Sequence, residues 1–313
     1  MTSGTEKWKR AEVTITEDPA TSAPVGSRLF FEAQHITHRF EANAVWLKDW
    51  DSFDGLLLSI NFADSTSHRI EGSGVLVAPG IALCATHVIK PNIEAIMQGV
   101  VGCVALAICK GYTLVWRIKK ITFVPNSDLT ILGMSLASPL PAHSKFNMAA
   151  ISTRTPKPGE SLLLTGFRAS AYSFPVGNQN ENKFMEYSGN VLACNGPVTK
   201  IYATARDISM LPWPTIEVDC PSFGAMSGGP VFDCFGKLVG LLSSSYDTGP
   251  SYISMVWPAL VTDFEGGWPE SVFVGKRSMI QIEPMLCSID KREALTIQYD
   301  ETGRYVTYRQ WSE

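Results

Sequence analysis

Apolar residues in this chain come in short runs rich in Val, Ile, Leu, Phe and Tyr, punctuated by Gly, Pro, Asn and Ser. A strand turns successive side chains to opposite faces, so these runs predict strands rather than helices. In the first half they cover residues 56–62, 74–78, 81–84, 114–118 and 129–132. The second half repeats the style at 161–166, 187–193, 216–219, 230–232, 238–243 and 252–255. The run Val77, Ala78, Pro79, Gly80 predicts a tight turn between two of them, since Pro fixes φ and Gly accepts positive φ. The longest apolar stretch, 95–109, is broken by Gln98 and two glycines. It is shorter than the ~20 residues a membrane helix needs and reads as buried strand. Many short strands at this spacing predict antiparallel sandwiches or barrels.

Three stretches break the pattern. Residues 28–45 carry a helix-compatible arrangement, and 19–26 before them read as linker. Pro139, Pro141 and the polar stretch to Lys145 look like a connection between two sheets. Near the end, 294–298 and 304–308 predict a hairpin about Asp300, Glu301, Thr302 and Gly303. The chain therefore divides into an N-terminal extension (1–48), a first β-unit (49–140), a linker with a second β-unit (141–263) and a C-terminal extension (264–313).

Composition narrows the classes. Of 313 residues, 45% are apolar and 18% charged, which describes a globular chain with a substantial core. A net charge of −4, with no basic run beside aromatics, excludes a nucleic-acid surface. The first twenty residues hold basic side chains without an apolar core behind them, so no secretory signal is read there. Seven cysteines, odd in number and without a C-x-x-C pair, argue against a zinc site and a disulfide framework. The expectation is reduced thiols, a cytoplasmic location, and no membrane partner.

Candidate chemistry gathers in three segments. One runs from Gly72 through two strands to Ala85-Thr86-His87; another is Asn126-Ser127-Asp128 entering an apolar strand; the third is Gly224-Ala225-Met226-Ser227-Gly228-Gly229-Pro230. A serine hydroxyl is a poor nucleophile until a neighbouring base takes its proton. Histidine titrates near neutrality, and a buried carboxylate fixes its tautomer. Glycines after the serine let backbone approach a substrate, and N–H groups of the same turn can hold an oxyanion. Singly, each residue has a plainer explanation: a structural histidine, a turn-capping aspartate, a Ser-Gly-Gly-Pro loop. Together, the order His87, Asp128, Ser227 and intervals of 41 and 99 residues put all three at separate strand ends.

These motifs closely resemble those of the chymotrypsin/trypsin-like serine protease family, in an intracellular, bacterial-type form, over roughly residues 50–260, about two-thirds of the chain. The resemblance implies an all-β fold of two antiparallel six-stranded barrels with N- and C-terminal extensions. It implies a triad of His87, Asp128 and Ser227, oxyanion donors at Ala225 and Ser227, Ser243 supporting Asp128, and the 243–245 backbone (Ser243, Ser244, Ser245) pairing with substrate. It implies an endopeptidase acting through an acyl-enzyme, with a protein or peptide substrate, a regulatory protein partner, and no metal or cofactor. Met226 stands where digestive relatives carry an aspartate that receives a freed N-terminus, so activation by N-terminal cleavage is not expected. Ala225 replaces a glycine, and Val88 replaces a cysteine. Pro221 occupies the position where basic-specific members keep an aspartate, so a small or apolar P1 residue is expected; Asp219 and Asp247 are the nearby acids.

Other readings weigh less. An α/β-hydrolase needs its histidine after the serine, and all five histidines (35, 38, 68, 87, 143) precede Ser227. A subtilisin-like order using Asp64 lacks alternating strands and helices. A protease fold retained as an inactive binding or scaffold module is the serious alternative, with Ala225 and Met226 as its foothold. His35 and His38, three apart, read as a solvated face rather than a metal site, His143 as exposed, and Cys84 as a buried inert thiol.

Overall fold

The structure, a computed structural model, describes residues 8–14, 28–34, 53–64, 68–110, 112–138, 147–168, 190–245, 249–267, 275–283, 285–301 and 303–308. Strand β1 (Trp8–Thr14) pairs antiparallel with β2 (Arg28–Gln34). The helix expected over 28–45 is therefore a strand in its first seven residues. The segment Arg28-Leu29-Phe30-Phe31-Glu32 is β-prone and finds a full-length partner in β1, and such pairing overrides a weak helical pattern. Residues 35–45, His143, Asp247, the predicted linker 19–26 and the 139–145 connection lie outside the described residues.

The first barrel is built from β3 (Leu57–Ala63), β4 (His68–Ala78), β5 (Ile81–Ala85), β6 (Gly102–Cys109), β7 (Tyr112–Phe123) and β8 (Leu129–Leu136). It closes in the order β3-β4-β5-β8-β7-β6. Two short helices, α1 (Thr86–Ile89) and α2 (Ile93–Met97), separate β5 from β6. Residues 95–97, expected as strand, thus belong to a helix. Gln98, Gly99 and the polar turn after Lys90 isolate this segment from the valine-rich strand that follows.

The second barrel follows β9 (Ile151–Ser152). It comprises β10 (Ser161–Arg168), β11 (Asn190–Tyr202), β12 (Thr215–Val218), β13 (Pro230–Phe232), β14 (Leu238–Ser245) and β15 (Ser251–Met255). They pair as β13-β10-β11-β12-β15-β14, and β13–β14 closes the ring. Both barrels are six-stranded and antiparallel. After α3 (Trp257–Val261), β16 (Phe264–Glu265) pairs with β17 (Lys276–Arg277), and α4 (Met279–Ile282) begins with a Ser278 capping box. Then β18 (Ile289–Asp290) runs parallel to β9, which is itself parallel to β14, so the tail extends the second barrel's sheet. The expected hairpin ends the fold as β19 (Leu295–Asp300) and β20 (Gly303–Tyr308).

The alternate facing of side chains along a strand explains the packing. Leu58, Ile60 and Phe62 of β3 point into the first barrel with Ala105, Ala107, Leu114, Trp116 and Leu132. Leu57 and Ala63, out of phase with them, join a larger cluster with Val75, Leu83, Leu163, Phe167, Phe232 and Leu241. That cluster takes residues from both barrels and from the tail, including Phe264, Met279 and Ile289. Leu162, Leu164, Ile216, Val231 and Ile253 fill the second barrel. Most of the barrel strands thus bury both faces, which is why their runs read as nearly continuous apolar stretches.

Behind the second barrel lies a buried ion network. The Arg154 guanidinium reaches Asp233 at 2.9 Å and also grips Glu160, while Asp233 turns the 233–237 loop by accepting the N–H groups of Phe235 and Lys237. Burial pushes the Glu160 carboxyl up, but hydrogen bonds from Arg154 and the Lys157 N–H bring it below the ordinary glutamate value. Charges so enclosed persist because each has its partners.

Candidate active site

His87 begins the helical turn after β5, and Asp128 closes the turn between β7 and β8, where Asn126 takes the left-handed conformation (φ 51°). Strands β5 and β8 are paired neighbours, Ala85 against Leu129, so their two ends bring histidine and acid together. The backbone locks this: Thr86 N–H donates to Asp128 O at 3.1 Å, and the Thr86 hydroxyl to Leu129 O at 2.8 Å.

Asp128 is 3% exposed and receives three donors. Its Oδ2 accepts from His87 Nδ1 at 2.7 Å and from Ser243 Oγ at 2.5 Å; Oδ1 accepts the His87 backbone N–H at 3.0 Å. A carboxylate only accepts, so Nδ1 carries a proton, and in the neutral imidazole Nε2 then holds the lone pair. Ser243 belongs to β14, so this hydrogen bond joins the two barrels at the acid.

Ser227 lies in the turn between β12 and β13. Gly228 follows at φ 82°, and a Cβ there would stand 2.3 Å from Ser73 O. The turn is pinned on both sides: Gly228 N–H donates to Leu242 O, Leu242 N–H to Gly229 O, and Ser73 N–H to Ser227 O. Met226 is fully buried in the second barrel's core, its backbone pressed on Gly166. Where a charge was absent from the sequence, an apolar anchor sits instead. Ala225 holds φ 68°, a conformation that costs a residue with a Cβ about 1–2 kcal/mol. Met226 N–H donates to Phe223 O at 3.1 Å, closing a turn with Ala225 at its third position. Among the described residues, the N–H groups of Ala225 and Ser227 make no hydrogen bond within the protein.

His87, Asp128, Ser227, Ser243, Ser244 and Ser245 all line one cleft of about 470 Å³. Pro221 is half-buried and does not line it; Ser222, next in sequence, does, and its hydroxyl lies 3.0 Å from that of Ser251. The sequence reading missed Met210, Leu211, Trp213 and Phe223, which form the apolar wall. They come from the 203–214 loop and the turn that carries Ser227, where no periodicity marks a function. Asp207 shapes that loop by accepting the N–H groups of Ser209, Met210 and Leu211, and these bonds, Met210's foremost, hold its carboxyl below the ordinary aspartate value. Asp219 ends β12 with its side chain exposed and does not line the cleft.

Comparison with known sequences then decides the family: residues 72–241, just over half of the chain, match the trypsin-like peptidase domain. The chain belongs to the trypsin-like peptidase family. No curated protein matches it. Solved structures similar to this trypsin-like peptidase domain include Deg5, at 17% identity and TM-score 0.46 over 66% of this chain and 85% of that one. The active form of the Rv3671c protease from M. tuberculosis is similar at 14% identity and TM-score 0.45, over 66% and 79% of the two chains. The apo MamO protease domain from Magnetospirillum magneticum is similar at 15% and 0.45, over 66% and 94%. Membership of the trypsin-like peptidase family rests on the match to residues 72–241, not on these likenesses. No helix among the described residues is long and apolar enough to cross a membrane.

Proposed function

We propose that this chain is a serine endopeptidase. His87 Nε2 takes the proton of Ser227 Oγ as that oxygen attacks the scissile carbonyl, and the N–H groups of Ala225 and Ser227 receive the oxyanion. His87 then gives its proton to the leaving amine. Water activated by the same nitrogen hydrolyses the acyl-enzyme. The observation that carries the reading is the chain of hydrogen bonds from Ser243 through Asp128 to His87, in the same cleft as Ser227.

The cleft also supports a preference for neutral P1 side chains over Arg or Lys. His87 and Asp128 are the titratable residues among those lining it, and Asp128 is already committed to three donors. A lysine or arginine entering between Met210, Trp213 and Phe223 would lose water without gaining a counter-charge. Small or apolar side chains fit that wall. A peptide substrate lies along β14 at Ser243–Ser245, beyond the point where β13 stops pairing at Leu241. A cytoplasmic setting agrees with seven free thiols.

Mapping new N-termini in a cell lysate treated with wild type and with Ser227→Ala tests the proposal. The expected result is a set of cleavages after small or apolar residues that vanishes in the variant. Equal termini with both proteins would refute the activity, and cleavage after Arg or Lys would refute the specificity.

A further inference from the structure

Ser73 lies on β4 of the first barrel and is completely buried. Its backbone and its side chain both reach the nucleophile's turn in the second barrel. The Ser73 N–H donates to Ser227 O at 2.7 Å, and the Ser73 hydroxyl donates to Ala225 O at 2.8 Å. The same oxygen accepts the Phe167 N–H at 2.7 Å. Because an N–H can only donate, the hydroxyl hydrogen is directed onto Ala225 O. The Ser73 side chain is buried, and its bond to the Phe167 N–H is fully enclosed.

The residue it grips is the strained one. Ala225, at φ 68°, is third in a turn closed by Met226 N–H on Phe223 O. Relaxing Ala225 to negative φ turns over the peptide between Gly224 and Ala225 and re-aims the Ala225 N–H, one of the two oxyanion donors. At Gly224 the space a Cβ would occupy is open. A rotation about the Ala225 N–Cα bond alone would swing the Ala225 carbonyl off the Ser73 hydroxyl, so that bond opposes every relaxation of φ that Gly224 does not offset by turning the other way.

We infer that Ser73 is a positioning residue that holds Ala225 in its left-handed conformation and thereby keeps the oxyanion donors in place, with no charged lock at Met226. This rests on the endopeptidase reading. It acts through Ala225 and touches no substrate.

The test is a cycle of wild type, Ser73→Ala, Ala225→Gly and the double variant. Each is measured for hydrolysis of a fluorogenic peptide built on a mapped cleavage site, for inhibition by the matching peptide aldehyde, and for thermal unfolding. Glycine removes the strain that Ser73 opposes. Ser73→Ala should therefore lower kcat about 10–100-fold with KM changed less than about threefold, and weaken the tetrahedral aldehyde adduct in proportion. In the Ala225→Gly background the same change should cost only a few-fold. Loss of kcat equal in both backgrounds, or kcat kept within about twofold, overturns the inference. If Ser73→Ala does not fold, Ser73→Cys, which keeps the volume and a weak donor, replaces it in the cycle. If wild type neither cleaves peptide nor reacts with aldehyde, the endopeptidase reading fails separately. The unfolding temperatures then decide: a smaller loss from Ser73→Ala in the glycine background supports the contact, and additive losses overturn it.

Discussion

Replacing Asp128 by Asn changes one atom and should reverse the role of His87. The carboxylate takes the His87 N–H on Oδ1 and both His87 Nδ1–H and the Ser243 hydroxyl on Oδ2. An asparagine brings one acceptor and one donor group. If its oxygen keeps the Oδ1 place, the amide nitrogen faces Nδ1 at about the 2.7 Å the carboxylate held. If it is turned over, the amide nitrogen meets the His87 backbone N–H across 3.0 Å, donor against donor. A backbone N–H cannot change its character, but an imidazole can move its proton and the Ser243 hydroxyl can rotate to accept. The proton therefore moves to Nε2, and the nitrogen proposed to take the Ser227 proton no longer has a lone pair. A wrong tautomer of this kind costs about 10⁴-fold in kcat, or about 5.4 kcal/mol at 1.36 kcal/mol per tenfold. The assay is steady-state hydrolysis of a fluorogenic peptide, with ¹⁵N spectra of the imidazole reporting which nitrogen is protonated and an unfolding curve confirming that the variant folds. Activity within about tenfold of wild type, or a proton still on Nδ1, would refute the reasoning.

Two further predictions concern the cleft wall and the ion network. Met210→Asp puts a charge on the apolar lip beside the cleft, and KM for a peptide with an apolar P1 side chain should rise about fivefold with kcat little altered, worth about 1 kcal/mol of lost contact; an unchanged KM in steady-state kinetics removes Met210 from the binding surface. The Glu160 carboxyl is depressed in the folded state, so its contribution is present above the ordinary glutamate range and disappears as pH falls through the depressed value. Unfolding temperature should therefore fall on acidification more steeply in wild type than in Glu160→Gln, which should be less stable near neutrality by about 1–3 kcal/mol; parallel pH curves would show that the Arg154 contact contributes nothing.

Most of the barrel strands were legible because they bury two faces, and the alternation of Leu58, Ile60 and Phe62 with their neighbours survives in the sequence as an apolar run. His87, Asp128 and Ser227 were legible for another reason: their residue types, order and strand-end positions restrict one another. The hairpin that includes β2 was misread, since seven residues carry too little pattern to outweigh a partner strand twenty residues away in the chain. Strand β18 has two residues and gains its place from a parallel pairing with β9, which no local signal announces. Pro221 was aligned by counting back from the nucleophile, yet a turn decides which neighbour faces the cleft, and Ser222 does. Ser73 carries no signal of its own in the sequence because its partners, Ala225 and Phe167, are brought to it only when the barrels pack.

The central claim is that Ser227 is a nucleophile activated by His87. A fluorophosphonate probe, with the modified peptide identified by mass spectrometry, measures this without knowledge of the substrate. Folded wild type should be labelled once, at Ser227, and both Ser227→Ala and His87→Ala should lose the label. Folded wild type that stays unlabelled, or a label that persists in Ser227→Ala, would contradict the account.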